Sequence, residues 1–407
     1  MTIATPRTPK ISTEDMQRNI FLQKGPSAKL RQIYWVIPDR FDTRQDKSSW
    51  LEMARQLRES GCSVTIVAAR SDINAQDYDG LVHYIDAPQF PFVFRWAALF
   101  ASWQFLRHRI TREDIVIMNE DSLWLLPLLR LGEGPHVHLD IRTVPVKLPG
   151  FKRWLDRVLF WHVPIRMFAD RAASYSFITE PLRQEVQRAF SRSFSPFCIW
   201  QSGVNATLFS PSPSPCRSTP ADNTFRLFYH GGLLMTRGID LVLHALATTK
   251  FPFPISLTIV GDGQDRRALE ALSARLGLNN VVTFTGCSPY ELVVEKLRLA
   301  DCCICPLPDL PEWRVSSPLK VLEYLACEKP MILTPLPAHL DAVRDIPTVT
   351  WTADYSPSAI GEAIIRAQEQ KVDGELLKAG RQYVIDNFEW RVHAAHLRQL
   401  LEDVMEH

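Results

Sequence analysis

The strongest constraint on this chain is a rhythm of short apolar runs alternating with amphipathic segments. It is broken sharply once, by SPSPSPCRSTPADN over residues 210–223. From Gln32, QIYWVIP is a strand-like run and SSWLEMARQLRESG a helical pattern closed by Gly61. SVTIVAA is then a second run, completing a βαβ unit. DIVIMN (Asp114 to Asn119), HVHLDI (His136 to Ile141), ASYSFIT and SPFCIW extend the series as short buried strands bounded by turn residues. Beyond the break, FRLFYHG, ISLTIVGDG, VVTFTG, CCICPL and MILTP alternate with helical patterns such as RRALEALSARLGL and ELVVEKLRLA. Strand–helix alternation on this scale predicts parallel sheets flanked by helices. The expected fold is therefore α/β, with two doubly wound Rossmann-like domains over 31–209 and 224–386. Pro, Ser and Asn dominate the 210–223 linker between them. A cleft between the carboxyl ends of the two sheets is where ligands of such folds bind.

Composition agrees with this division. A chain of 407 residues is too long for one ordinary core. It is 46% hydrophobic and 22% charged with a net charge of +1, which excludes a globally basic nucleic-acid binder but not a local basic patch. Eight cysteines do not make a disulfide framework at this length. Cys302, Cys303 and Cys305 fall in ADCCICPLP, which reads as a buried strand; CCxC is not a usual zinc spacing and no histidine is near. No metal and no cofactor are expected, and a reducing, cytoplasmic setting fits the thiols. Residues 1–30 lack the apolar core of a signal peptide and read as a loose arm. The most apolar stretch, Phe90 to Leu106, is short for a membrane span and carries Arg95, so it reads as a buried or interfacial helix.

Two segments of the second half carry chemistry. YHGGLLMTRG ends a strand at His230, turns through Gly231 and Gly232, and opens a helix near Gly238. Glycines admit close backbone approach, helix amides suit an anion, and Arg237 adds charge. A tight turn with a solvated arginine explains the same residues. IVGDGQDRRALE repeats the strand–glycine–helix pattern but is not GxGxxG, so no dinucleotide fingerprint is supported. In SSPLKVLEYLACEKPMI (Ser316 to Ile332), Ser317 reads as a helix cap and Pro318 as a first-turn residue, with Leu319, Leu322 and Ala326 forming the buried side. Lys320 stands against the positive end of the helix dipole, three residues before Glu323. Either the two form a plain surface pair, or an anion occupies the helix mouth between Ser316, Ser317 and Lys320 while Glu323 accepts from ribose hydroxyls. The helix alone leaves both readings open.

Taken together, the run from about Ser202 to Pro335 resembles the family 4 retaining glycosyltransferases of the GT-B fold. SGVNATLFSP is similar to that family's hinge segment, and YHGGLLMTRGIDLVLHAL to its G-x-L-x-x-x-[KR]-G-x-D-x-L-x-x-A block. LTIVGDGQDRRALEALSARLGLNNVVTFTG and SPLKVLEYLACEKPMI match two further blocks in the same order. NFEWRVHAAHLRQLL looks like the closing helix, over 387–407, that crosses back to the first domain. The resemblance implies hexosyl transfer with retention from a nucleotide-diphosphate sugar such as a UDP or GDP sugar. The acceptor it implies is a sugar, lipid-linked or small-molecule group, in polysaccharide, glycolipid or other glycoconjugate synthesis. By position it implies Arg237 and Lys320 at the donor diphosphate, Glu323 at the ribose, Gly286 and Cys287 around the base, and Gly231 and Gly232 beside the phosphates. Two departures stand out. Gly232 replaces a frequent arginine, and Val315 stands where many members carry the first acid of an E-x7-E pair, with Glu312 the nearest carboxylate. These departures motivate one rival, a sugar-nucleotide-binding protein of impaired activity; a GT-B epimerase or phosphorylase is a further alternative.

The first half is less informative. In PDRFDTRQDKSSW the family's glycine-rich acceptor loop has no glycine. Asp140 and Arg142 in HLDIRTVP end a strand, and Asp140 is the candidate for orienting the acceptor, unless the two form a structural salt bridge. Asn119, Glu120 and Asp121 end another strand and suit the same role. Lys147 to Arg171 interleaves Lys152, Arg153, Arg157 and Arg166 with Phe151, Trp154, Phe160 and Trp161. That pattern suits either an anionic headgroup region, with a peripheral position on the inner face of the membrane, or an ordinary helix with buried aromatics.

Overall fold

Strand β1 (Ile33–Arg40) shows why the first sheet is covered on both sides. Trp35 and Ile37 enter one apolar cluster while Val36, one residue out of phase, enters the other. Around it run β2 (Val64–Ala69), β3 (Val82–Ile85), β4 (Ile115–Met118), β5 (His136–Ile141), β6 (Ser174–Phe177) and β7 (Phe197–Ile199), in the order β3-β2-β1-β4-β5-β6-β7. The second sheet comprises β8 (Phe225–His230), β9 (Ile255–Val260), β10 (Val282–Gly286), β11 (Cys302–Cys305), β12 (Met331–Leu333) and β13 (Val349–Trp351), ordered β10-β9-β8-β11-β12-β13. Every pairing in both sheets is parallel. Strand order therefore reverses between β1 and β4 and between β8 and β11, and each reversal opens a crevice at the carboxyl ends. The computed structural model describes residues 32–41, 47–70, 78–88, 90, 93–129, 134–144, 151–212 and 223–406. The arm read over 1–30, most of the linker, residues 42–46 of the first-strand loop and 147–150 of the basic–aromatic segment lie outside the described residues.

Two edge strands escape the sequence pattern. β3 (VHYI) and β13 (VTW) are short and only partly buried, so neither gives a continuous apolar run. Helix α1 (Lys47–Glu59) covers one face of the first sheet, and α2 (Phe94–Leu106) packs on the opposite face. The basic–aromatic segment is helix Phe151–Arg157, a π turn Val158–His162 and helix Val163–Phe168. Phe160 and Trp161 are buried in the α2-side core, so these two aromatics belong to packing and not to a surface.

In the second domain α3 (Leu319–Ala326) links β11 to β12, and its residues from Val321 to Ala326 are buried. The last helix, α4 (Trp390–Met405), completes the first domain. Trp390, Ala394, Leu397 and Leu401 recur at helical spacing and join Trp35, Trp50, Leu57 and Trp200 in one apolar cluster. Nearby, Val204 donates its amide to the Phe388 carbonyl at 2.8 Å, tying the strand-to-strand passage to the turn before α4. Leu397 is fully buried, so Leu397→Ala removes methyl groups that nothing can replace. We expect it to lower stability by about 2–5 kcal/mol. A urea midpoint unchanged from the parent protein would show that α4 does not stabilise the first-domain core.

Candidate functional site

The crevice between β8 and β11 gathers the charged residues of the second domain. At the end of β8, Gly231 adopts φ +128°, a backbone conformation that favours glycine, and its amide donates to Val260 at 2.9 Å. A β-carbon on Gly231 would stand 2.3 Å from Cε of Lys320; one on Gly261, after β9, would stand 2.0 Å from the Gly231 carbonyl. The glycines thus let two strand ends and one lysine stem occupy the same small volume. Lys320 Nζ lies 5.4 Å from the centroid of the Tyr229 ring. Tyr229 itself is fully buried and donates its hydroxyl to the Gly232 carbonyl at 3.3 Å.

Arg237 comes from the turn Met235–Arg237 that follows. Its guanidinium lies 5.0 Å from the Trp313 ring centroid, and Trp313 anchors that turn by donating Nε1 to the Thr236 carbonyl at 2.7 Å. Burial, then the Arg237 charge, pulls Lys320 down to about 8. Below the two cations, burial pushes the Cys305 thiol up. His339 at 3.6 Å, Lys320 and Arg237 together outweigh it and hold the thiol below its ordinary value. Positive potential is therefore concentrated at this strand end. Among the described residues, no carboxylate forms an ion pair with Lys320.

The start of α3 differs from its sequence reading in one respect. Ser317 does not cap the helix; Pro318 is the cap residue, with no side-chain cap bond. The Ser317 hydroxyl instead accepts from the Ser202 amide at 2.9 Å, across from the first domain's last strand, and Ser316 donates to the Trp313 carbonyl at 2.9 Å. The physical reason is competition: Ser202 offers a fixed donor where the helix offers only fraying amides. The surface-pair reading of Lys320 and Glu323 also fails, because Glu323 is 3% exposed and turned to His230. Its Oε2 lies 3.1 Å from His230 Nε2, without the alignment of a hydrogen bond, and neither atom has another partner. His230 was not singled out by the sequence reading. The available signal was its place as the last residue of FRLFYH, on the same strand face as Phe228. The Phe209 ring of the SGVNATLFSP segment stacks over it at 6.4 Å.

Further along the sheet, Gly286 ends β10 and Cys287 is exposed beside it. Arg266, paired with Glu270 at 2.7 Å and Asp262 at 3.3 Å, overhangs Gly286. Glu312 sits half-buried on the one-turn helix Pro311–Arg314. Val315 reaches out of its own domain: its side chain joins the α2-side core of the first domain, and Thr179 donates to its carbonyl at 2.7 Å.

The first-domain candidates do not line the cleft as read. Asp140 is 1% exposed; Ser176 donates to it at 2.7 Å, and burial raises its carboxyl to about 6. Ser176 and Ser174 also flank the buried His138 at 2.8 Å each, and burial lowers that imidazole to about 3. Arg142 donates to the Trp200 carbonyl at 2.7 Å, with its guanidinium 3.3 Å from the Trp200 ring centroid. Asp140 is therefore interior and Arg142 half-buried beside Trp200, on the face that α4 covers. Asn119 caps the turn Glu120–Leu125 by accepting from the Ser122 amide at 3.1 Å, while Glu120 and Asp121 remain half-buried at the β1–β4 reversal. Among the described residues, no group of three or more His, Cys, Asp or Glu could hold a metal ion.

Residues 217–386 match the family model described as Glycosyl transferases group 1. The chain is 27% identical over 257 residues to the GDP-mannose-dependent alpha-(1-6)-phosphatidylinositol monomannoside mannosyltransferase of Mycolicibacterium smegmatis. That overlap is 58% of this chain and 64% of the relative, so the chain spans less than two thirds of its length. Sucrose-phosphate synthase from Thermosynechococcus elongatus superposes with a TM-score of 0.74 at 18% identity, covering 92% of this chain and 99% of that one. HepE from Anabaena, solved with UDP and glucose, gives 0.69 at 14% identity over 92% and 100%. The folds agree: two parallel sheets, each with its strand order reversed at a crevice. The second domain, over residues 217–386, thus matches the glycosyl transferases group 1 model, and the two-sheet architecture of the chain is the GT-B fold of these solved structures.

Proposed function

We propose that the protein transfers a hexose from a nucleotide-diphosphate sugar to an acceptor with retention of configuration, without a metal or other cofactor. The observation that carries this reading is the desolvated Lys320, laid over Gly231 beside Arg237. As the anomeric carbon–oxygen bond breaks, negative charge develops on the departing diphosphate, and preorganised cations stabilise it without reorganisation. Glu323, whose Oε2 makes no hydrogen bond, suits the ribose hydroxyls, with His230 Nε2 3.1 Å away. The Ser316 hydroxyl proton is committed to the Trp313 carbonyl, while Ser317, which accepts from Ser202, keeps its proton for a phosphate oxygen. Gly286 and Cys287 would flank the base. The named substrate of the mycolicibacterial relative, a phosphatidylinositol monomannoside, supports a lipid-linked acceptor within glycoconjugate synthesis. A second reading, a sugar-nucleotide-binding protein of impaired activity, is favoured by Val315 alone, which occupies an acid's usual place and is locked in the first-domain core.

Incubation with a panel of UDP and GDP sugars separates the two. Donor-dependent release of nucleoside diphosphate, even by slow hydrolysis, supports transfer; binding without any release supports the impaired protein. Sugar released or isomerised, with no product joined to an acceptor, would point to a phosphorylase or epimerase instead.

Lys320→Ala and Glu323→Ala are each expected to weaken UDP or GDP binding by about ten- to a hundredfold, the loss of one charge-assisted contact. Calorimetry showing both variants at parental affinity would overturn the assignment.

The lowered Lys320 value adds a pH signature. The free protein carries the charged form below about 8 and loses it above, so binding must restore a proton at higher pH. Nucleoside diphosphate affinity should fall as pH rises through about 8, by at most about tenfold per unit, and this step should vanish in Lys320→Ala. A parental profile that is flat there would remove Lys320 from the phosphate site.

A further inference from the structure

Exposed apolar side chains gather on one part of the first domain. Phe90 is 69% exposed, and Val93, Trp96 and Phe100 are also exposed, the last three on one face along the start of α2. Phe151, 76% exposed, stacks on Trp154 at 5.7 Å at the start of helix Phe151–Arg157. The two helical segments touch: the Trp96 ring lies 5.2 Å from Phe160, and the Arg95 guanidinium lies 4.8 Å from the same ring. α2 follows β3 and the second segment follows β5, so both begin at the carboxyl edge of the parallel sheet. Val315 of the second domain joins the core beneath them.

Charge decides what this face fits. Residues 90–106 and 151–168 carry five Lys or Arg and one Asp, in a chain whose net charge is +1. A two-fold contact with a second copy would set these cations against each other. A bilayer rich in anionic lipid meets both features. Aromatic side chains enter the headgroup layer while arginines, their stems lying on aromatic rings, reach the phosphates. Among the described residues no helix is long and apolar enough to cross a membrane, so the contact is peripheral. We propose that this face, built from the start of α2 and the Phe151–Phe168 segment, docks the protein on an anionic membrane surface with the carboxyl edge of the first sheet towards the lipid. The inference does not depend on the donor or on transfer activity.

Vesicle co-sedimentation tests it, with phosphatidylglycerol-containing and pure phosphatidylcholine vesicles. The full chain should pellet with the anionic vesicles and much less with the neutral ones, and high salt should release it. The triple variant Val93→Ser/Phe100→Ser/Phe151→Ser removes exposed groups and should lower anionic-vesicle affinity at least about tenfold. Its melting temperature and UDP or GDP affinity, measured alongside, should match the parent and so exclude misfolding as the cause. The proposal is overturned if the parent stays in solution with anionic vesicles, or if a correctly folded triple variant pellets as the parent does. Concentration-dependent dimerisation that the variant abolishes, without vesicle binding, would also overturn it in favour of a second copy.

Discussion

The second domain is organised around one close approach, the lysine stem of Lys320 lying across Gly231. A β-carbon there would stand 2.3 Å from Cε, so the lysine stem would have to swing away, and φ +128° is strained for any L side chain. Lys320 is half-buried with its ammonium 5.4 Å from the Tyr229 ring centroid, and burial and the Arg237 charge lower its value to about 8. Keeping two like charges in a low-dielectric crevice costs stability. Such an arrangement is destabilising in isolation and relaxes when an anion enters, which is the physical content of calling the site preorganised.

That strand end also explains which parts of the chain were legible. Strand identity in the second domain followed from apolar runs such as ISLTIV and CCIC, and the runs became β9 and β11 because burial on both faces demands them. Lys320 was legible as an anomaly, a cation at the wrong end of a helix. His230 was not, since a single polar residue closing a strand looks like solvent exposure until Phe209 and Tyr324 are seen packed against it. Asp140 erred in the opposite direction. A carboxylate at a strand's carboxyl end reads as a cleft residue, and only the position of Trp200 and α4, sixty or more residues away in sequence, shows that this face is interior. Local pattern gives the strand; it does not say which face a distant helix covers.

The same distance effect governs Ser317. Its sequence context suits an N-cap, and Ser-Pro before an apolar helix is a strong local signal. The hydroxyl nevertheless accepts from Ser202, so a local preference yields to a contact between the two halves of the chain. With Thr179 held on the Val315 carbonyl, this gives two hydrogen bonds from first-domain and hinge residues to the four-residue stretch entering α3. The position of α3 is thereby tied to the first sheet and not only to its own.

Val315 is where this coupling bears on chemistry. In the resembling family the position often holds an acid, but here the side chain is 8% exposed among first-domain residues such as Leu182 and Phe177. A carboxylate placed there would be desolvated by apolar neighbours, with Thr179 already committed to the backbone carbonyl of the same residue. Restoring an acid at 315 therefore does not restore its usual place beside a sugar, unless the whole stretch from Pro311 to Ser317 moves. Trp313 resists that movement through its bond to Thr236, and Arg314 through its pairing with Asp309 at 2.5 Å. Val315 is thus an apolar bolt between the two domains, and Glu312, half-buried on the same turn, is the nearest carboxylate along the chain.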